Sequence, residues 1–451
     1  METKQKTKFK QTEIGMIPED WDLGKFRVIL SRNIRHGIYK AKEYADPHGV
    51  RLLKMGDVNS KVRISDQKME RVFASENEIK RFKAFTGNLI FARTSMMTGG
   101  LGNCSIIMEH SDPIIFDGNL LCVDIDTKVA DPEFYLYYFK SKRGQNEIAK
   151  MTTGTQSRNI PGSKLMEVNI PLLSKQEQSQ IASVLSCLDS KMELNQQMYK
   201  TLEVIGQTIF KHWFVDFEFP NEDGKPYKSS GGEMVYNEEF GKKIPNKWRI
   251  GRLREFIDLD RGLSYKGAFL SDEGIPMINL GTIAPTAGFI PEGLKYYVGE
   301  YKEKQLVKAG DVVIANTDIT QRREVLGSPA IVPPYLESEK ALFTHHIFAV
   351  RNKSQLPNSF IFHLLQLKEY KDRVKGFATG TTVLALPKDA VLDFDFIVPD
   401  AESLKKFNAI YSLLFSKSNL CHIQNRNLSN IRDSLLPKLM SGKIGVPVSV
   451  N

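Results

Sequence analysis

Ser174–Val215 reads SKQEQSQIASVLSCLDSKMELNQQMYKTLEVIGQTIFKHWFV, and this stretch decides the fold. Ser174 followed by Glu177 is a capping box, in which each side chain satisfies an orphan backbone N–H at a helix start. Proline is absent from there to Val215, and the only glycine is Gly206. Apolar residues recur at steps of three and four: Ile181, Val184 and Leu188, then Met198, Leu202, Ile205 and Ile209. That is a heptad seam, interrupted by Lys191, Asn195 and His212. A helix of ~40 residues is ~60 Å long at 1.5 Å per residue, far longer than an ordinary globular helix and suited to holding things apart.

The seam is written a second time. Moving on by about 226 residues places Phe407, Ile410, Leu414, Leu428, Ile431 and Leu435 on it, with Lys417 opposite Lys191 and Cys421 opposite Asn195. Other blocks repeat at nearly the same offset. Ile17-Pro18-Glu19-Asp20-Trp21 is echoed by Ile244-Pro245-Asn246-Lys247-Trp248, and Gly87–Thr94 by Gly310–Thr317. Thr153-Gly154-Thr155 is echoed by Thr379-Gly380-Thr381, with Pro161 and Pro387 at the same distance beyond. A period this long excludes a solenoid and implies two similar domains in tandem.

Each unit opens on short apolar runs bounded by Gly, Asp or Asn, which predict strands: Val50–Met55, Asn88–Ala92 and Leu120–Ile125, then Pro276–Leu280, Asp311–Ala315 and Ile347–Val350. Asp131-Pro132-Glu133 opens a predicted helix to Lys150, with Asn358–Val374 as its counterpart. The expected class is therefore α+β. Its divisions are a globular domain over 14–173, a long helix over 174–215, a linker over 216–243, a second domain over 244–399 and a second long helix over 400–440. Two matched apolar seams pack most simply on each other, and antiparallel pairing is favoured because each helix leaves its own domain. The domains then sit at either end of a two-helix coiled coil with pseudo-two-fold symmetry. The Gly-, Pro- and Ser-rich linker reads as a flexible crossover. The Phe210–Phe217 end of the first helix is a candidate surface for partners.

Composition narrows the function. The 451 residues carry 41% hydrophobic and 25% charged residues, the profile of a globular protein of several domains. The formal charge of +9 is compatible with a polyanionic partner. Four scattered cysteines indicate neither a disulfide framework nor a zinc cluster, and fit a reducing cytosol. The N-terminus has no apolar core of a secretory signal, and no run is long enough to span a membrane. Catalytic patterns come close without closing. Val332-Pro333-Pro334-Tyr335 has an amino-methyltransferase look, but Val332 cannot accept a hydrogen bond from a target amine. Asp400, Glu402 and Lys405 are too closely spaced to surround a nuclease metal, and Asp400 reads better as a helix cap. His345-His346 lacks a third ligand nearby, and no P-loop occurs. No metal site and no cofactor of the chain's own are expected.

What remains is binding chemistry. Arg93, Thr94 and Ser95 follow one predicted strand; Asn316, Thr317, Gln321, Arg322 and Arg323 follow its counterpart. Thr153, Thr155, Gln156, Ser157 and Arg158 follow one predicted helix, and Thr379, Thr381 and Thr382 the other. Arg grips guanine, Gln or Asn grips adenine, and hydroxyls meet phosphates, so these are the candidate DNA-binding residues. The framework repeats while the side chains differ, which suits two readers of different sequences. Helix pairing is assigned to Ile181, Val184, Leu188, Leu202, Ile205, Phe407, Ile410, Leu414, Leu428 and Ile431.

The chain resembles the specificity subunit of a type I restriction–modification system. The resemblance is carried by both Ile-Pro-x-x-Trp openings, both Thr-Gly-Thr segments, Ile170-Pro171-Leu172 with Glu177-Gln178, Phe210–Phe217 and Leu435–Gly442. Asp400-Ala401-Glu402-Ser403 departs from the pattern at the second helix entry. The resemblance implies two target-recognition domains, each reading half of a split site in double-stranded DNA, and no catalytic residues of the chain's own. It also implies two modification subunits that bind S-adenosylmethionine and methylate adenine, with restriction subunits in a larger complex in a prokaryotic cytoplasm. The alternatives are a self-contained DNA methyltransferase or nuclease with degenerate motifs, and a coiled-coil adaptor that binds no DNA.

Overall fold

A computed structural model describes residues 8–95, 101–153, 158–320, 323–336, 338–380 and 383–446. The chain divides into two compact units, Met1–Glu193 with Arg426–Asn451, and Leu194–Asn425. Each holds a mixed α/β body and part of both long helices, Lys175–Phe210 and Ala401–Leu439.

In the first unit, a five-stranded sheet has the order Arg35–His36, Leu120–Val123, Leu89–Ala92, Cys104–Ile107, Arg63–Ile64. A four-stranded sheet runs Glu70–Val72, Ala45–Leu53, Ile114–Phe116, Lys83–Ala84. The second unit repeats this plan. One sheet runs Ile257–Arg261, Ile347–Asn352, Val312–Ala315, Pro329–Ile331; the other runs Leu270–Ser271, Lys295–Tyr297, Ile275–Ile278, Lys340–Phe343, Leu306–Lys308. The central strands are buried on both faces, Leu89–Ala92 and Val312–Ala315 without exception. That explains why they read as unbroken apolar runs rather than alternating ones.

The predicted helix from Asp131 is split in two, Pro132–Lys140 and Lys142–Lys150. Asp131 Oδ1 accepts from the N–H groups of Glu133 and Phe134, so the cap is as expected. The break falls at Ser141, whose hydroxyl accepts from Gly144 N–H and starts the next helix. Gly144 packs too close to the Tyr138 carbonyl for any Cβ. The counterpart is split likewise, into Asn358–Leu364 and Lys368–Gly376.

The long helices pair antiparallel within each unit. In the first, Arg432 Nη1 lies 3.0 Å from Asp189 Oδ1, and Ile181, Leu185, Leu439 and Met440 share one core. In the second, Asn195 Nδ2 donates to Gln424 and Asn425, Tyr199 meets the His422 ring, and Phe210 meets Phe407. The seam differs in detail from the apolar pattern. Ile181 and Phe407 are buried, and Leu188, Leu202, Ile410, Leu414 and Leu428 are half-buried, but Val184, Ile205 and Ile431 are exposed. Leu185, Asp189, Asn195 and Gly206 occupy the inner face instead. Asn195 and Cys421 are buried, whereas Lys191 and Lys417 point outward.

Two expectations about the region after the first helix are corrected. Phe210, Phe214 and Phe217 are buried in the core of the second unit, so the outer face of this end is carried by Lys211, His212 and Asp216 rather than by the phenylalanines. Residues 216–243 form organised structure rather than a loose crossover. Met234–Asn237 pairs with Lys242–Pro245, and Phe219 stacks on both Tyr227 and Trp248. Burial of three large rings outweighs the loop-like composition of this stretch.

Candidate nucleic-acid interface

The repeated Ile-Pro-x-x-Trp motif seats each body on a long helix. Trp21 Nε1 donates to Glu177 Oε1 at 3.1 Å, and Trp248 Nε1 donates to Asp400 Oδ2 at 2.9 Å. Asp400 also accepts from the N–H groups of Glu402 and Ser403, as a cap should. Burial works against its charge, but these donors hold its carboxyl below the usual range. The departure from the family pattern at the second helix entry thus keeps a carboxylate under the tryptophan.

The structure brings together loops that are far apart in sequence. Thr94–Ser95 pairs antiparallel with Arg158–Asn159, and Thr317–Asp318 pairs with Leu384–Ala385. In each unit one such two-stranded ribbon is thus built from the segment after the buried strand and the segment after the helices. Each ribbon is closed at its far side by the predicted threonine. Thr153 and Asn159 exchange two backbone hydrogen bonds, as do Thr379 and Ala385. The Thr153 and Thr379 hydroxyls donate back across the same closure, at 3.2 and 3.3 Å.

A turn that the sequence reasoning missed supports each ribbon. Arg93 N–H donates to Asn119 O, and Asn316 N–H to His346 O, both at 2.9 Å. The Thr94 hydroxyl donates to Asn119 Oδ1 at 3.3 Å, while the Thr317 hydroxyl lies 2.9 Å from His346 Nδ1. The chemical character of the two ribbons then diverges. Arg93 is half-buried, with its Nε on Asn159 Oδ1, and Arg158 is exposed. Asn316 and Thr317 are buried, and the Asn316 amide donates to the His345 carbonyl. Arg323 has a left-handed backbone and donates to the Lys375 carbonyl at a helix end. Thr155, Gln156, Ser157, Gln321, Arg322, Thr381 and Thr382 lie outside the described residues, as does the side chain of Ser95.

The residues of the near-motifs are placed as well. Val332 is buried, and Tyr335 stacks on His422 of the second long helix with ring centres 5.4 Å apart. His345 and His346 lie side by side in the turn that supports the second ribbon. Burial first, then His345 and Arg261, hold the His346 imidazole below its ordinary range. No group of three or more His, Cys, Asp or Glu among the described residues is arranged to hold a metal ion. No described helix is long and apolar enough to cross a membrane.

Comparison with known proteins agrees with this geometry. Residues 18–204 match the type I restriction modification DNA specificity domain. The chain is 28% identical to the type I restriction enzyme MjaIX specificity subunit of Methanocaldococcus jannaschii, over 98% of this chain and 97% of that protein. It is 25% identical to the HindI specificity subunit of Haemophilus influenzae, over 76% of this chain and 84% of that protein. The fold is that of a crystallised S subunit from M. genitalium, with a TM-score of 0.56 at 18% identity over 93% of this chain and 96% of the other. With the matched domain and with relatives aligned over most of their length, the chain resembles the specificity subunits of type I restriction–modification systems.

Proposed function

We propose that this chain is a non-catalytic reader of a bipartite DNA site, with one half-site read by each unit. The observation that carries this reading is the pair of ribbons. Their backbone hydrogen bonds repeat from Thr153–Asn159 to Thr379–Ala385, while half-buried Arg93 and exposed Arg158 of the first correspond to buried Asn316 and Leu384 of the second. A repeated scaffold with divergent side chains suits two different target sequences. The bodies are assigned to 14–173 and 244–399, and the paired helices at 174–215 and 400–440 set the unread gap between half-sites.

In this reading, two modification subunits dock on the chain, bind S-adenosylmethionine and methylate adenine. Restriction subunits join them in the cytoplasm. The chain itself contributes no cofactor and no reacting group. Lysines and arginines on the phosphates make binding fall steeply with salt.

Footprinting of the full chain with its co-expressed modification subunit on genomic DNA tests this. Two protected segments separated by an unprotected gap are expected. A single protected segment, or protection without sequence preference, would sink the proposal.

A further inference from the structure

A second pair of segments repeats from unit to unit, each forming a parallel bridge to the turn beside its ribbon. In the first unit it is Arg35-His36-Gly37-Ile38-Tyr39; in the second, Asp260-Arg261-Gly262-Leu263-Ser264. Ile38 N–H donates to Phe116 O at 3.0 Å, and Gly118 N–H returns to Ile38 O at 3.0 Å. Leu263 N–H donates to Phe343 O at 2.8 Å, and His345 N–H returns to Leu263 O at 2.9 Å. These are the turns that carry the ribbons. Both glycines are required by close approach. A Cβ on Gly37 would lie 2.2 Å from Asp117 O, and one on Gly262 would lie 2.1 Å from Phe343 O.

The backbone match makes His36 the equivalent of Arg261, and Tyr39 the equivalent of Ser264. His36 pairs with Leu121 on the sheet, and Arg261 pairs with Phe348 on its counterpart. His36 and Arg261 are both exposed. His36 Nε2 lies against Gly162, just beyond the first ribbon, and burial first, then the charge of Arg93, hold its imidazole below the ordinary range. Arg261 spends Nε on the His345 carbonyl, and its side chain is exposed. Tyr39 is 67% exposed, a large ring left on a polar surface. It lies over Gly118, where any Cβ would strike the ring at 2.5 Å. A glycine that makes room for an exposed aromatic presents that ring rather than hiding it.

From this arrangement we infer that each unit carries a second DNA-contact segment beside its ribbon, His36–Tyr39 in the first unit and Arg261–Ser264 in the second. The inference rests on the DNA-reading function proposed above and deepens it. The backbone frame repeats, but a histidine and a tyrosine in one unit stand where an arginine and a serine stand in the other. Groups that only held phosphates would have no reason to diverge in this way. Arginine reads guanine through two N–H groups, while histidine and tyrosine offer a single donor or acceptor and a stacking face. These positions therefore discriminate bases, each within its own half-site.

The test is selection from a pool of random double-stranded DNA by the full chain with its modification subunit. Wild type, His36→Ala, Tyr39→Ala, Arg261→Ala and the more conservative Arg261→Lys are compared, with the ribbon variant Arg158→Ala as reference. His36→Ala and Tyr39→Ala are expected to relax one or two positions of one half-site, with ~10-fold weaker binding to the wild-type sequence. Arg261→Ala and Arg261→Lys are expected to relax the other half-site only. The untouched half-site reports that each variant is folded. If all four keep the wild-type site and affinity while Arg158→Ala loses its half-site, the inference is overturned and the broader reading stands. A loss shared equally by both half-sites also overturns it. If wild type selects no sequence, the broader reading fails first.

Discussion

His363 shows how a single residue sets a stability limit. It is buried in the second unit among Phe210, Phe407 and Tyr411, and among the described residues Gln366 is its one hydrogen-bond partner, at Nδ1. Burial pushes its imidazole down to about 3. The folded state therefore holds it neutral, while the unfolded chain takes up a proton below about pH 6.5. The unfolded state binds more protons in that window, so stability is full above it and falls as the pH drops. Below the unfolded pKa the slope approaches ~1.4 kcal/mol per pH unit. Melting curves from pH 7.5 to 5 should show wild type losing more stability than His363→Phe, and parallel curves would contradict this. Nothing in the sequence flagged the residue, because a lone histidine on a helix looks like any surface histidine. The tryptophans were different. Trp21 and Trp248 stood out through their repeated motif, but only the hydrogen bonds to Glu177 and Asp400 explain what the motif does.

At the scale of elements, the long helices were legible as helices and as partners, but not in rotation. The expected seam included Val184, Ile205 and Ile431, all of which face out. The inner positions include Asp189, Asn195 and Gly206, which a search for apolar spacing passes over. Gly206 is inside because Tyr411 and His363 lie on it, 3.3 and 3.4 Å from where a Cβ would be. Asp189 is inside because Arg432 and the Tyr137 hydroxyl satisfy it. A pair of this kind is costly to break and nearly neutral to replace. Arg432→Leu alone should destabilise the chain by about 3 kcal/mol, and Asp189→Leu with Arg432→Leu should recover most of that. Urea denaturation of the two single variants and the double variant measures the coupling. Additive losses would show that the pair contributes nothing to helix register.

At the scale of the whole molecule, duplication is the main fact. Both units repeat the sheets, the split helices, the ribbons and the tryptophan contact. Modular function should follow. Exchange of residues 14–170 for those of another specificity subunit should change one half-site and spare the other. One added heptad in each long helix should lengthen the gap by ~10 Å, about three base pairs, with both half-sites kept. Methylome sequencing of a host carrying each variant with its modification subunit reads both outcomes. A changed half-site after heptad insertion would show that the helices do not act as a spacer.

The sequence by itself determined the tandem, the class of each body, the two long helices and the resemblance to specificity subunits. These follow from spacing and repetition, which survive in one dimension because strand, turn and helix signals are local. Tertiary structure alone decided what faces what. The Arg93–Ser95 and Arg158–Asn159 segments are more than 60 residues apart in the chain, and only sheet pairing makes them one ribbon. Asn316 and Thr317 carry the right polar groups, yet they are buried under the turn at His345–His346. Phe210, Phe214 and Phe217 lie in a stretch that looked like a surface, yet they are core, because the second body packs onto the helix end. Exposure is a property of neighbours brought from elsewhere in the chain, so no local pattern could have supplied it.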